Sequence, residues 1–321
     1  MDTDTGSSES SVLSPDEAFT VLGDEARLEV LQTLGEADEP LAYSELFARV
    51  EYDDSTNFHY HLNKLLDHFI ERTDAGYVLR QAGRRVVEAI LSGAVTDDPV
   101  LEPTAVDKPC VVCSAPIEVA FHQEQVKLHC PECDGVVSES RLEGDRFGTF
   151  GNQGFVPLPP AGVQGRTATE VLYAAELWVG TNMRAAAEGI CPRCSATIEQ
   201  SISVCETHDA TDGRCDECGL RFGANLRVTC TNCLFDEGVY LPAYLASRTE
   251  LMGFMIEHGI DPFSPEGFDF PIAAVDETIL SQDPFEARYA FTADDDTLAL
   301  TVDGDLSVID VTRNPTTGSH C

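Results

Sequence analysis

Residues 191–233, CPRCSATIEQSISVCETHDATDGRCDECGLRFGANLRVTCTNC, carry metal-ligating side chains in four short pairs. These are Cys191-x2-Cys194, Cys205-x2-His208, Cys215-x2-Cys218 and Cys230-x2-Cys233. Two residues between donors let one tight turn present both to a tetrahedral ion, and two such pairs close a site. Between the pairs the chain alternates, with Ile198, Ile202 and Val204 on one arm and Leu220, Phe222, Leu226 and Val228 on the other. Each arm is about ten residues, roughly 30 Å at strand rise, and the two suit one antiparallel hairpin. Cys191, Cys194, Cys230 and Cys233 then meet at its base, and Cys205, His208, Cys215 and Cys218 at its tip. The rival pairing joins Cys191 and Cys194 to Cys215 and Cys218, and it needs the second arm to fold back. Nesting satisfies both strands and all the ligands at once. In either case four protein donors fill each site, which points to structural metal rather than catalytic metal.

Working outward, Cys191-Pro192-Arg193-Cys194-Ser195-Ala196-Thr197-Ile198-Glu199 echoes Cys110-Val111-Val112-Cys113-Ser114-Ala115-Pro116-Ile117-Glu118. The earlier copy is completed by Cys130-x2-Cys133. Ile117, Val119 and Phe121, a turn at 122–125, then Val126 and Leu128 read as two strands leaving the cysteine knuckles, a zinc ribbon over 110–150. Val136, Val137 and Leu142 supply its third strand in this reading, and His129 exceeds the four-ligand requirement. The expectation is therefore three structural Zn2+ ions. Eleven of the 12 cysteines are used this way, none lies before position 110, and Cys321 has no partner in the pattern. No basic-then-apolar leader opens the chain and no apolar run is long enough to span a bilayer, so the thiols read as reduced, metal-bound and cytoplasmic.

The remaining segments of this half are less explicit. Residues 96–109 are rich in Pro and acids and read as a linker, and 144–165 as a Gly/Pro loop. A connecting helix spans 166–189, opened by a capping box of Thr167 and Glu170. Its apolar stripe includes Trp178, which marks either burial against the neighbouring ribbon or a dimer seam. The double-site hairpin module covers 190–235. Residues 236–321 read as a helix over Pro242–His258 followed by a three-stranded meander, Ala287–Phe291, Thr297–Val302 and Leu306–Val311. The triplet Asp294-Asp295-Asp296 lacks calcium-loop spacing and reads as a turn.

The thiol-free N-terminal part begins with a polar, small-residue tail, 1–13, read as disordered. A module at 14–95 follows. Ser14, Pro15 and Glu17 make a helix start with a capping box, and the apolar stripe through Leu34 is interrupted near Gly23. Pro40 and Leu41 open a second, short helix that runs through Val50. Asp53, Asp54, Ser55 and Thr56 then cap a third, on which Phe58, Leu62 and Leu65 share one face. Its other faces carry Ser55, Thr56, Asn57, His59, Tyr60, Asn63 and Lys64 without a single carboxylate. In a chain with 56 acids and 20 bases, that absence needs a reason. A hairpin at 70–80 and a helix at 81–92 complete the module.

Leu22-Gly23-Asp24-Glu25-Ala26-Arg27-Leu28-Glu29-Val30-Leu31, His61-Leu62-Asn63-Lys64-Leu65 and Gly76-Tyr77-Val78-Leu79, followed by Gly83-Arg84, carry a resemblance. In them, residues 15–95 resemble ArsR-like winged helix-turn-helix regulators. The resemblance implies that the 55–66 helix enters the major groove and the hairpin lies against the backbone or minor groove. It further implies that Asn57 or Asn63 reads adenine while Lys64, Arg72, Arg80 and Arg85 reach phosphates. Metal-sensing members of that family carry thiols on these helices; this module has none, which argues against direct metal sensing. A winged helix used for protein contacts alone is the competing reading.

The net charge of −36 is dispersed through every segment. That distribution resembles the acidic proteins of salt-accumulating halophilic archaea, whose carboxylates keep the surface hydrated, rather than an acidic tail. The whole order likewise resembles haloarchaeal regulators that join a winged helix to zinc ribbons. The fold class expected is an α+β multidomain chain. The function expected is sequence-specific transcription regulation on double-stranded DNA, as a homodimer, with the zinc modules as a platform. A protein–protein adaptor of the transcription or translation machinery is the alternative. A redox sensor at the Cys205/His208 tip is a weaker one, because the tip is acidic. No phosphate loop, nucleophile motif, open metal triad or dinucleotide fingerprint supports an enzyme.

Overall fold

The computed structural model describes residues 13–50, 52, 54–137, 151–211 and 213–314. They form an α+β chain in two compact units that divide between Asp97 and Asp98. No helix among the described residues is long and apolar enough to cross a membrane.

The first unit holds α1 (Pro15–Leu22), α2 (Glu25–Glu36), α3 (Tyr43–Arg49), α4 (Ser55–Leu65), the hairpin β1 (Ile70–Arg72) and β2 (Tyr77–Leu79), and α5 (Gln81–Leu91). The Ser14–Glu17 capping box is formed, and Asp24 starts α2 by accepting from the Arg27 amide. Helix α3 starts later than expected because Leu41 leaves the helical path. Its backbone pairs with Tyr77, adding a bridge beside β2. Gly76 permits this approach: its φ is +144° and a Cβ there would stand 2.5 Å from the Leu41 carbonyl oxygen. Val30, Leu31, Leu46, Phe58, Leu62, Leu65 and Ile70, all fully buried, form a core that contains no cysteine.

The second unit carries three antiparallel sheets. The first has the order β3 (Leu101–Pro109), β4 (Pro116–His122), β5 (Gln125–His129) and β6 (Asn152–Pro157), backed by α6 (Ala168–Ala187). The linker expected at 96–109 is largely the edge strand β3, and the loop expected at 144–165 contains β6 and a 3-10 turn at Pro160–Gly162. Prolines and acids are tolerated in β3 because it lies at the sheet edge. The third strand expected from Val136, Val137 and Leu142 is replaced by β6; Val136 and Val137 only donate amides to Asn152, and Leu142 lies outside the described residues. The sheet therefore extends beyond the 110–150 expected for it.

The second sheet, β7 (Ile198–Val204), β8 (Ala224–Cys230) and β9 (Asp236–Tyr240), contains the predicted hairpin, paired from Ile198↔Cys230 to Val204↔Ala224. Each arm has seven residues rather than ten, because the ends are spent on knuckle turns. β9 was expected to belong to the C-terminal segment. The helix expected over Pro242–His258 is two, α7 (Leu241–Leu245) and α8 (Thr249–Glu257), joined through Ala246, Ser247 and Arg248. After α9 (Pro265–Ala273) the meander has four strands rather than three: β10 (Val275–Gln282), β11 (Phe285–Ala293), β12 (Asp296–Asp303) and β13 (Val308–Asn314). Glu277 of β10 ties this meander to the hairpin, accepting from the amides of Gly223 and Ala224 and from the Tyr289 hydroxyl.

Lys108 of β3 pairs with Glu176 of α6 and, at 2.8 Å, with Asp269 of α9. Burial pushes the Glu176 carboxyl up to about 7 against the pull of Lys108, and raises Asp269 as well. The native state thus holds a proton that the unfolded chain has already released, and stability falls as pH rises through about 7. A decline of about 1 kcal/mol between pH 6 and 8 is expected in chemical denaturation with metal in excess. Glu176→Gln should remove that slope; an unchanged slope would place its origin elsewhere.

Candidate metal centres and a candidate nucleic-acid interface

Three donor groups come together: Cys110, Cys113, Cys130 and Cys133; Cys191, Cys194, Cys230 and Cys233; and Cys205, His208, Cys215 and Cys218. Within each, the ligand atoms lie within 4.8 Å of one another. The nested pairing of the second cluster is the one the fold adopts. Sulfur pairs stand 3.6 Å (Cys110–Cys133), 3.5 Å (Cys113–Cys130), 3.6 Å (Cys191–Cys233) and 3.5 Å (Cys194–Cys230) apart. A tetrahedral ion with zinc–sulfur bonds of about 2.3 Å separates its ligands by about 3.8 Å, so these groups fit one.

The local sequence builds these sites by one device used repeatedly. In the knuckles opened by Cys110, Cys191 and Cys215, the first cysteine donates its amide to a carbonyl five residues on, Ala115, Ala196 and Leu220 respectively. Its own carbonyl accepts from the amide four residues on, Ser114, Ser195 or Gly219. That fourth residue takes a left-handed φ, +62°, +62° and +69°. The internal repeat seen at 110–118 and 191–199 is thus a repeated turn. Amides also point at sulfur, as from Val112 to Cys110 and from Asn232 and Cys233 to Cys230. Such donors favour thiolate.

The thiols within a site are accordingly unequal. The Ala196 amide draws Cys194 down to about 6, and the Cys218 amide draws Cys215 down to about 6. Burial, and then the neighbouring thiols, push Cys218 up to about 11, and burial raises Cys130 and Cys133. Four crowded thiols cannot all ionise alone, and a divalent cation compensates all four while releasing protons. At the tip, His208 presents Nδ1 3.5 Å from the Cys218 sulfur while Nε2 donates to the Arg221 carbonyl at 3.1 Å. That bond leaves Nδ1 unprotonated, with its lone pair free for a metal, and fixes the ring.

The tip also leans on the first site. Arg214 donates to the Asp134 carbonyl at 2.7 Å and Arg221 to that of Val111 at 3.4 Å. Neither contact was legible in the sequence, since arginines near knuckles carry no signal of their targets. Trp178 is 48% exposed and not buried as expected, because α6 presents Val171, Leu172 and Ala175 to its sheet and turns the tryptophan outward.

In the first unit, Ser55, Thr56, Asn57, His59, Tyr60, Asn63 and Lys64 are all exposed on α4, while Phe58, His61, Leu62 and Leu65 are buried. His61 is a packing residue, its Nε2 3.2 Å from the Tyr52 hydroxyl and its Nδ1 3.3 Å from Asp24. Asn57 donates to Tyr52 at 3.0 Å, and Lys64 lies over the Tyr60 ring. Arg72 and Arg85 are exposed and Arg80 is half-buried. Among the described residues, no carboxylate forms an ion pair with Lys64, Arg72, Arg80 or Arg85.

No curated protein and no solved structure matches the chain. A family described as "Domain of unknown function (DUF7347)" matches residues 15–90, within the first unit. A second, "Domain of unknown function (DUF7351)", matches 107–308, which includes all three donor groups. That match covers most of the chain, and the chain belongs to the DUF7351 family.

Proposed function

We propose that this chain is a DNA-binding transcriptional regulator whose N-terminal unit is a winged helix-turn-helix and whose second unit is stabilised by three structural Zn2+ ions. The observation that carries the reading is the exposed face of α4: Ser55, Thr56, Asn57, His59, Tyr60, Asn63 and Lys64, free of acids in a chain of net charge −36. A helix of hydrogen-bonding side chains on an apolar inner stripe is what major-groove readout uses. The cations of the hairpin and α5, unpaired among the described residues, suit phosphate contacts. In molar salt counterion release adds less to affinity, so recognition leans on base edges. Two copies on a palindromic site are part of the proposal.

Selection from random duplex DNA in molar KCl tests it, comparing the zinc-loaded chain with Asn57→Ala/Tyr60→Ala/Asn63→Ala. Each lost base contact costs about 1–3 kcal/mol, so the triple variant should bind the selected site at least about 100-fold more weakly. Those side chains are exposed, and both proteins should melt alike. Failure of the wild type to enrich any motif would end the direct-readout reading in favour of a protein–protein adaptor.

A further inference from the structure

Along α6, Tyr173, Leu177 and Thr181 form one row of side chains, and Ala174, Trp178 and Asn182 form the next. Phe263, in the loop before α9, stands beside the first row, with the Arg184 guanidinium 3.9 Å from the centre of its ring. Tyr173, Leu177, Trp178 and Phe263 are each 40–50% exposed. For side chains of this size that amounts to about 400 Å² of mostly apolar surface on one chain. A contiguous patch of that extent is often functional, and tyrosine, tryptophan and phenylalanine are the residues that interfaces collect.

The patch also lacks what the rest of the surface carries. From Val171 to Ala187 the only carboxylate is Glu176, which is buried. Two copies of a chain with net charge −36 repel wherever acids face acids, and they meet most easily where neither presents any. Charges stand instead at the two ends of the face, and their signs are opposite. Glu170 lies in the first turn of α6 and Arg184 in its last. No carboxylate among the described residues pairs with Arg184. If two copies of the helix run antiparallel across an axis between Leu177 and Trp178, Glu170 lies about 11 Å from that axis and the partner's Arg184 about 10 Å. The two come alongside each other, and symmetry repeats the match at the other end. A parallel pairing would set Glu170 against its own counterpart.

We propose that this face of α6 is where two copies of the chain associate, as an antiparallel helix pair about a two-fold axis at Leu177 and Trp178. Leu177 of each copy packs on the partner's Trp178, and Glu170 pairs with the partner's Arg184 at both ends. The small side chains of Ala174, Thr181 and Ala185 let the two axes approach. With this rim included, two copies bury about 1,000 Å², at the low end for a specific interface, so the dimer is a dissociable one. The inference names the contact for the two copies in the proposed function. It does not rest on DNA readout, and it is measured without DNA.

Sedimentation of the zinc-loaded full chain in molar KCl tests it, with the emission of Trp178, the only tryptophan, followed over the same concentrations. A monomer–dimer equilibrium is expected, with Kd on the order of 10 µM. Trp178 emission should move to shorter wavelength as the dimer forms. Leu177→Glu sets two carboxylates beside the axis; it should weaken association at least tenfold and abolish the emission shift. That side chain is exposed, and an unchanged melting temperature verifies that the variant folds. Phe155→Glu is the control: Phe155 is 48% exposed, on the side of its sheet away from α6, and its replacement should leave the dimer as it was. A wild type that stays monomeric at 100-fold above the expected Kd would overturn the proposal. So would a dimer whose formation leaves Trp178 emission unmoved, or one that Leu177→Glu forms as tightly as the wild type. Short-wavelength emission from the monomer, lost in Leu177→Glu, would assign the face to a segment of the same chain and likewise overturn it. Arg184→Glu should weaken the dimer several-fold, and no change there would overturn the antiparallel register.

Discussion

Chelation of the metal from the loaded chain should unfold the second unit and leave the first one folded. Elemental analysis of the native protein should give three ions per chain. Each structural zinc contributes an apparent ~10–16 kcal/mol at neutral pH, against a total stability of about 5–15 kcal/mol for an ordinary domain. Loss of even one ion therefore exceeds what the remaining contacts hold. The cores around the sites depend on them: Cys110 and Cys130 are members of the apolar cluster of the first sheet, and Cys191 and Cys230 of the cluster that joins the hairpin to the meander. By contrast the first unit packs Val30, Leu31, Phe58, Leu62 and Ile70 with no metal ligand among them. Helical circular dichroism should fall in part on chelation, and limited proteolysis should then spare 13–97. Cys230→Ser should reproduce the effect with two ions or fewer bound. A chelated chain that melts as one metal-independent transition would refute the structural role of the ions.

Gly151→Ala should cost at least about 3 kcal/mol, where Gly165→Ala costs about 1 kcal/mol. Both glycines have φ +69°, so the left-handed penalty is common to them. They differ in surroundings. A Cβ on Gly165 meets nothing within 4 Å, whereas one on Gly151 would lie 1.8 Å from the Cys130 carbonyl oxygen and 3.0 Å from that of Cys133. The Gly151 carbonyl accepts from the Cys130 amide at 2.7 Å, so the chain cannot retreat without opening the knuckle. The difference between the two variants, read from denaturant midpoints with metal in excess, isolates this steric part. The Gly151 variant should also release metal from the first site most readily. Equal midpoints would show that β6 relaxes away from the knuckle freely.

The metal groups were legible because ligand spacing constrains geometry locally: a turn of four residues holds two donors wherever it occurs. Caps were legible for the same reason, as Ser14 with Glu17 and Thr167 with Glu170 show. The edge strand β3 was not, since Pro103, Pro109 and its acids mimic a linker and only Val106 and Lys108 among its side chains are buried. β6 hid in a run rich in glycine and proline. Trp178 misled because a helical apolar stripe wider than its contact surface leaves one margin uncovered. Lys108, Glu176 and Asp269 lie too far apart in sequence for any local pattern to join them.

A hairpin ordinarily unravels from its ends, and its outermost hydrogen bonds open first. The pair β7–β8 has no such ends. Donors at 191, 194, 230 and 233 bind the strands together at one extremity, and those at 205, 208, 215 and 218 at the other. With both sites filled it is a closed ring seven residues long, about 23 Å at strand rise. Amide exchange along it should be uniformly slow instead of graded toward the tip. The tip rests on the first site through Arg214 and Arg221, and the base joins the core of α7 and α8. A push at one end is then delivered to the other as displacement, because the strands have no slack in which to lose it.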